Sequence, residues 1–257
     1  MNLERSKKIL SNWEEIDYRL FIKAVNKRHL RPEYAYVKPV IETESGDSDI
    51  YLQLSICLND ENSSEFELVQ ASAPWEYLKY LSGKSVNDIW DIALENTLNM
   101  FPPVCTDLRN SFIEDLIAAG GNIQNMAPSY FMNPGVQVDK PETCLVVTNA
   151  GNINGATVLF LPGVKEKLSD ICGGDLIIVF TSAHEAMVHP YEGQISPEDI
   201  EQILACDVFI NEPDHLSSKI YIYEKEVGVL REYRSTYDEL MIFDRHIQFD
   251  SVNRFCN

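Results

Sequence analysis

Five consecutive apolar residues, Leu176-Ile177-Ile178-Val179-Phe180, constrain this chain more than any other feature. A strand that is apolar at every position buries both of its pleat faces, so it belongs in the middle of a sheet that is covered on two sides. The surrounding stretch from Thr143 to Tyr191 agrees with that placement. It reads as strand, tight loop, strand, helix, strand, turn, strand. Cys144 to Thr148 and Ala156 to Leu161 are expected to form a hairpin around Ala150-Gly151-Asn152-Ile153-Asn154-Gly155. Pro162 and Gly173-Gly174 bracket a helix whose inward stripe is Val164, Leu168, Ile171 and Cys172.

Before this stretch, Ser11 or Asn12 can cap a helix carrying Trp13, Ile16, Leu20, Phe21 and Ala24 on one face and ending near Arg31-Pro32. Tyr34 to Glu44 and Ile50 to Leu58 predict a hairpin turning at Ser45-Gly46-Asp47, with one face in the core and the other partly solvated. A third strand runs from Phe66 to Ala71. Two helices follow, Pro74 to Ser82 stopped by Gly83, then Val86 to Met100 capped by Ser85 with Asp88 three residues later. Phe101-Pro102-Pro103 ends the second. A further helix is expected from about Asp107 to Ala119, and the Gly-, Pro- and Asn-rich residues from Gly120-Gly121 to Glu142 form a connector.

After Tyr191, Ser196 caps a helix with Pro197 first and Asp199 at its third position. Ile195 is placed to staple against Ile200, and the core stripe is Ile200, Ile203, Leu204 and Val208. Ile220 and Ile222 alternate with Tyr221 and Tyr223 in a last strand. The fold class is therefore α+β, with antiparallel or mixed sheets in two halves, each covered by helices. The expected division is an N-terminal half over residues 1–103, a helix and connector over 104–142, a C-terminal half over 143–230 and a tail over 231–257.

A chain of 257 residues buries roughly 70 to 75% of the surface its unfolded form exposes, enough to hold a core without disulfides or metal. Its six cysteines are widely spaced with no C-x-x-C pair, which points to buried thiols and a reducing compartment. The N-terminus leads into no apolar signal core, and no apolar run approaches the ~18 residues of a membrane span. Cytoplasmic residence without a membrane is the expectation. The net charge is −19. Residues 1–31 hold eight basic and four acidic side chains, so the remainder carries −23, and nine acids lie between Lys38 and Lys79 with no basic residue among them. Such a body repels phosphate backbones, which argues against a nucleic-acid partner. The basic N-terminus is expected to dock on the acidic body, with Trp13 and Leu20 buried.

The residues that invite a chemical reading are Thr181-Ser182-Ala183-His184-Glu185 and His189. His184, Glu185 and His189 spell H-E-x-x-x-H, one residue longer than the zincin motif. A helix sets positions i and i+5 about 140° apart, and a strand sets them on opposite faces, so no metal site is expected. Ser182 and His184 share a face of an extended segment, which opens a nucleophile–base reading with Glu185 as a further candidate. No G-x-S-x-G elbow or oxyanion loop adjoins them. The simpler reading is a turn in which Ser182 and Glu185 bond the local backbone. Gly151 and Gly155 lack nucleotide-loop spacing, and Glu42, Glu44, Asp47 and Asp49 lack that of a calcium loop. No cofactor is expected.

Several pieces together resemble a bacterial domain-of-unknown-function family. They are Thr148-Asn149, Asn154-Gly155-Ala156, Leu161-Pro162-Gly163-Val164, the hydroxyl pair with His184-Glu185, and Leu216-Ser217-Ser218-Lys219-Ile220-Tyr221-Ile222-Tyr223. Trp90, Ala93-Leu94-Glu95-Asn96-Thr97 and Phe101-Pro102-Pro103 agree, so the resemblance spans most of residues 10–230. Members usually carry two serines before the His-Glu pair, where this chain has Thr181 in the first place. The resemblance implies a cytoplasmic bacterial protein with no established activity, and it brings no catalytic residue with it.

The reading that follows is a non-catalytic interaction or ligand-binding module with a protein or small-molecule partner. Its runner-up is a small-molecule hydrolase using Ser182 and His184.

Overall fold

The computed structural model describes residues 3–30, 38–39, 48–59, 68–72, 74–108, 130–141, 143–180, 182–205 and 212–234. Outside them lie the expected turn at Ser45-Gly46-Asp47, most of its first strand, the loop and strand start at 60–67, the helix and connector at 109–129, Thr181, Val208 and the tail from 235 on.

Two antiparallel sheets and the helices around them confirm the α+β class. In the first sheet, β1 (Leu20–Asn26) runs against β3 (Ile50–Cys57) in the register Leu20↔Ile56 to Asn26↔Ile50. The far side of β3 pairs with β2 (Lys38–Pro39) at one end and β4 (Gln70–Ala71) at the other. The second sheet has the order β10-β9-β7-β8-β6-β5. It comprises β5 (Pro103–Asp107), β6 (Leu145–Asn149), β7 (Leu176–Val179), β8 (Ala186–Pro190), β9 (Ile220–Glu224) and β10 (Val229–Glu232). The all-apolar β7 sits inside this sheet, as its composition requires. Leu176 and Ile178 point into the main core, and Ile177 and Val179 point to a smaller cluster on the opposite face with Ile200 and Ile220.

Four helices obey their local signals. α3 (Trp75–Ser82) ends at Gly83 in the left-handed conformation, with φ of 63°. α4 (Val86–Met100) begins with a reciprocal capping box between Ser85 and Asp88. α5 (Val164–Cys172) lies between Gly163 and Gly173. α6 (Pro197–Ala205) opens with Ser196 and Asp199 bonding each other's backbone amides, and Ile195 packs on the cluster that contains Ile200. Ile203, expected inward, is 67% exposed. The sheet face beneath a helix of nine residues is filled by Ile200 and Leu204, which leaves Ile203 on the solvent side.

At the N-terminus the expected single helix is corrected. α1 (Leu3–Leu10) precedes α2 (Trp13–Asp17), which is capped by Asn12 as anticipated and stops after five residues. Leu20 to Asn26 is a strand. The helical spacing of Ile16, Leu20 and Ala24 coincides with the even-numbered face of a strand, Leu20, Ile22 and Ala24, and pairing with seven residues of β3 decides between the two. Leu20 is fully buried, while Trp13, expected to be largely buried, is only partly so and packs against the edge of the core; the described part of the basic N-terminal segment docks on its own chain.

Three further expectations change. Ala156 to Leu161 is not a strand: Gly155–Phe160 forms a buried 3-10 helix. Both sides of β6 are already occupied, by β5 and β8, so no ladder is open to a returning hairpin strand. Pro103–Asp107 is a strand where none was expected, because Val104, Cys105 and Thr106 pair with β6, and the helix expected from about Asp107 has its first helical residue at Leu108, the rest of it lying outside the described residues. On β3 the expected solvated face is mostly buried, Gln53 and Ser55 included. One apolar cluster, from Ile9 to Leu230, takes residues from both sheets.

Candidate functional site

Phe180 and residues 182–185 lie between β7 and β8, two antiparallel neighbours in the register Val179↔Met187. Phe180 anchors the start of this turn, stacked on Phe160 with ring centres 5.3 Å apart and edge-on to Tyr221 at 5.4 Å. The turn then closes on itself, since Ser182 Oγ accepts the backbone N–H of His184 at 3.0 Å. Asn and Ser side chains mimic a backbone turn in this way.

Three other segments meet the same turn. From β6, Thr148 Oγ1 donates to the carbonyl of His184 at 2.7 Å. From the following loop, the N–H of Asn154 donates to His184 Nδ1 at 3.2 Å, and the N–H of Ala156 donates to the carbonyl of Ala183 at 3.2 Å. From the segment ahead of β9, the carbonyl of Asp214 accepts the N–H of Ala183 at 2.7 Å, and Asp214 Oδ2 lies 3.4 Å from His184 Nε2. Because Nδ1 accepts, the hydrogen-bond network assigns the ring proton to Nε2, facing the Asp214 carboxylate.

Local sequence builds each piece. Asn149 folds the loop after β6, its Nδ2 donating to the carbonyl of Ile153 at 2.7 Å and its Oδ1 accepting from Gly151 at 3.0 Å. Asn152 and Asn154 take φ values of 52° and 53°, a region that asparagine tolerates better than most residues. Gly155 is required for a different reason. A Cβ there would stand 2.0 Å from Thr148 Oγ1 and 2.2 Å from the His184 carbonyl oxygen. The loop therefore lies directly on the turn.

The candidate Ser182–His184 pair is not assembled as a nucleophile and base. The serine oxygen faces a backbone amide, and the imidazole nitrogens face Asn154 and Asp214. Glu185 is exposed beside the turn. His189 is separated from His184 by most of β8. It is 6% exposed, opposite Ile177, and burial holds its imidazole below the ordinary range. Among the described residues no three His, Cys, Asp or Glu side chains are grouped to hold a metal ion. His184 and Asp214 side chains are 39% and 62% exposed, so the pair is open to a partner from solvent.

Asp214 is the member that sequence reasoning missed, since no spacing rule connects it with a histidine thirty residues earlier. The pieces from β6, the loop and the turn were all among those that carried the family resemblance, and here they touch. Among the described residues no helix is long and apolar enough to cross a membrane. No curated protein and no solved structure matches the chain. The family model DUF5688, described as a family of unknown function, matches residues 5–225, and the chain belongs to that family.

Proposed function

We propose that this chain works as an interaction or ligand-binding module whose contact surface is the His184 turn, and that this turn is non-catalytic. The observation that carries the reading is the occupation of the imidazole: Nδ1 accepts from the Asn154 amide, and Nε2 faces Asp214. A serine hydrolase needs one ring nitrogen to take the serine proton. The ring of His184 instead fastens three chain segments together and presents a half-open imidazole–carboxylate pair to solvent. An acidic body of net charge −19 favours a partner carrying positive charge and disfavours nucleic acid. The partner is then a cationic small molecule or a basic protein segment. The four described cysteines are buried free thiols, which supports a reducing compartment such as the bacterial cytoplasm.

The test is native purification followed by mass spectrometry of whatever small molecules or proteins remain bound. A retained partner that is lost from both His184→Ala and Asp214→Ala, with folding intact by circular dichroism, supports the turn as the contact surface. Retention unchanged in both variants moves the contact elsewhere. Steady-state ester hydrolysis abolished by Ser182→Ala would restore the enzyme reading.

A further inference from the structure

A second serine and histidine lie just beyond Asp214, and their geometry differs from that of Ser182 and His184. Ser218 Oγ and His215 Nε2 are 3.0 Å apart. Ser218 is exposed, and His215 is 6% exposed. A hydroxyl open to solvent with a buried imidazole in hydrogen-bond contact is the arrangement that nucleophilic catalysis requires of its first two members. In the His184 turn the serine oxygen meets a backbone amide, whereas here it meets a ring nitrogen.

The segment that carries the pair is held on several sides. The N–H of His215 donates to the carbonyl of Glu212 at 3.1 Å. Asn26 Nδ2 from β1 donates to the carbonyl of Leu216 at 2.7 Å. Ser217 Oγ and the Tyr221 hydroxyl are 2.8 Å apart in the core, and the N–H of Lys219 donates to Ser217 Oγ at 3.2 Å. The Lys219 ammonium lies 2.9 Å from Glu232 and 3.4 Å from Asp49, tying the segment to β10 and to the start of β3. Ser218 thus projects from a backbone fixed before and after it, which lowers the entropy lost on placing its hydroxyl against a substrate.

We propose that Ser218 is a nucleophile activated by His215, and that it accepts acyl groups from small carboxylic esters. This goes beyond the binding role of the His184 turn and does not depend on it. With the ring proton on Nδ1, the Ser218 hydroxyl donates to Nε2. As Oγ bonds to the ester carbonyl carbon, its proton passes to Nε2 and then to the departing alkoxide, which leaves as an alcohol when the original C–O bond breaks. Water, deprotonated by the same nitrogen, attacks the acyl-serine. The acid is released, and the hydroxyl is restored.

The test uses the full chain and a fluorophosphonate probe. The probe forms an Oγ–P bond while the P–F bond breaks and fluoride leaves, the proton passing through His215 to solvent. The expected result is a single adduct located at Ser218 by peptide mass spectrometry, absent from Ser218→Ala, with no adduct on Ser182 in the same peptide map. Its rate should fall about 100-fold in His215→Gln, the contribution usual for a positioned base. The adduct should also form about 100-fold faster on the native chain than on the urea-unfolded one, a comparison that needs no substitution at the buried histidine. Absence of an adduct at Ser218, or equal rates on native and unfolded chains, would overturn the proposal.

Discussion

The side-chain oxygen of Thr157 accepts a 2.8 Å hydrogen bond from the backbone amide of Ala24, a residue 133 positions earlier in the chain. Thr97 does the same for Ile22 at 2.9 Å. β1 pairs only with β3 among the described residues, so its other edge would leave amides buried without acceptors. Two threonines, one on α4 and one in the 3-10 helix, satisfy them. An edge strand covered in this way offers no template for another chain. Thr157 also follows Asn154 and Gly155, so the bond fixes the first sheet to the loop that carries the His184 turn.

Thr157→Val keeps the shape of the side chain and removes the acceptor. It is expected to cost about 1 to 3 kcal/mol, the usual penalty for a buried donor left unsatisfied. Thr157→Ser should recover most of it. Urea unfolding at constant m-value measures both, and equal stability of Val and wild type would show that the bond contributes nothing.

Gly155→Ala tests the contact between loop and turn. The added methyl group would meet Thr148 Oγ1 and the His184 carbonyl at 2.0 and 2.2 Å, and a backbone oxygen cannot swing aside as a flexible side chain can. A loss of about 3 kcal/mol or more is expected, at the upper end of overpacking effects. Gly174→Ala, with nothing within 4 Å of the added carbon, is the matched control and should change stability little.

The hydroxyls that cap α4 and α6, Ser85 and Ser196, accept the amides of residues three positions on, at 3.3 and 3.2 Å. Replacing either serine by alanine should lower stability by about 1 kcal/mol. The two sites are on separate elements, so the double variant should lose the sum within about 0.5 kcal/mol. Thermal or chemical melts of the three variants decide this.

Burial lowers the basicity of His189, and a bond to the Thr143 backbone opposes that without cancelling it. The unfolded chain therefore takes up a proton below about pH 6.5 that the folded chain refuses. Stability is highest above that pH and falls as pH drops toward the lower folded value, by at most about 1.4 kcal/mol per pH unit for one proton. His189→Gln should flatten this slope whatever it does to stability at neutral pH. A slope unchanged between pH 6.5 and 5 would assign the pH response to other groups.

Burial pushes the thiols of Cys105 and Cys144 up to about 12 and that of Cys172 up to about 11. At pH 8 roughly one thiol in a thousand or fewer at these sites is in the reactive thiolate form. Ellman's reagent should leave these three unmodified in the native protein and modify them after guanidinium is added, with peptide mapping to assign the sites. Rapid native labelling of Cys105 would contradict its place in the core.

Local rules made the capped helices legible. Ser85 with Asp88, Ser196 with Pro197 and Asp199, and the glycines at 83 and 173 act over three or four residues, so the information lies within the element itself. The all-apolar run at Leu176 likewise determined a central strand, and the polar residues after it determined a turn. Other outcomes had no local answer. Leu20 to Asn26 fits helical and strand spacing equally well until β3 supplies its partner. Gly155–Phe160 carries a strand-like composition, and it becomes a 3-10 helix because both neighbours of β6 are taken. The candidate site lay even further from local rules. Ser182 and His184 were visible as a pair of residue types, but whether the imidazole faces the serine, the Asn154 amide or the Asp214 carboxylate is decided by segments 30 or more residues apart. Hydrogen-bond partners at that separation are selected by packing of the whole core, and no spacing in the sequence encodes them.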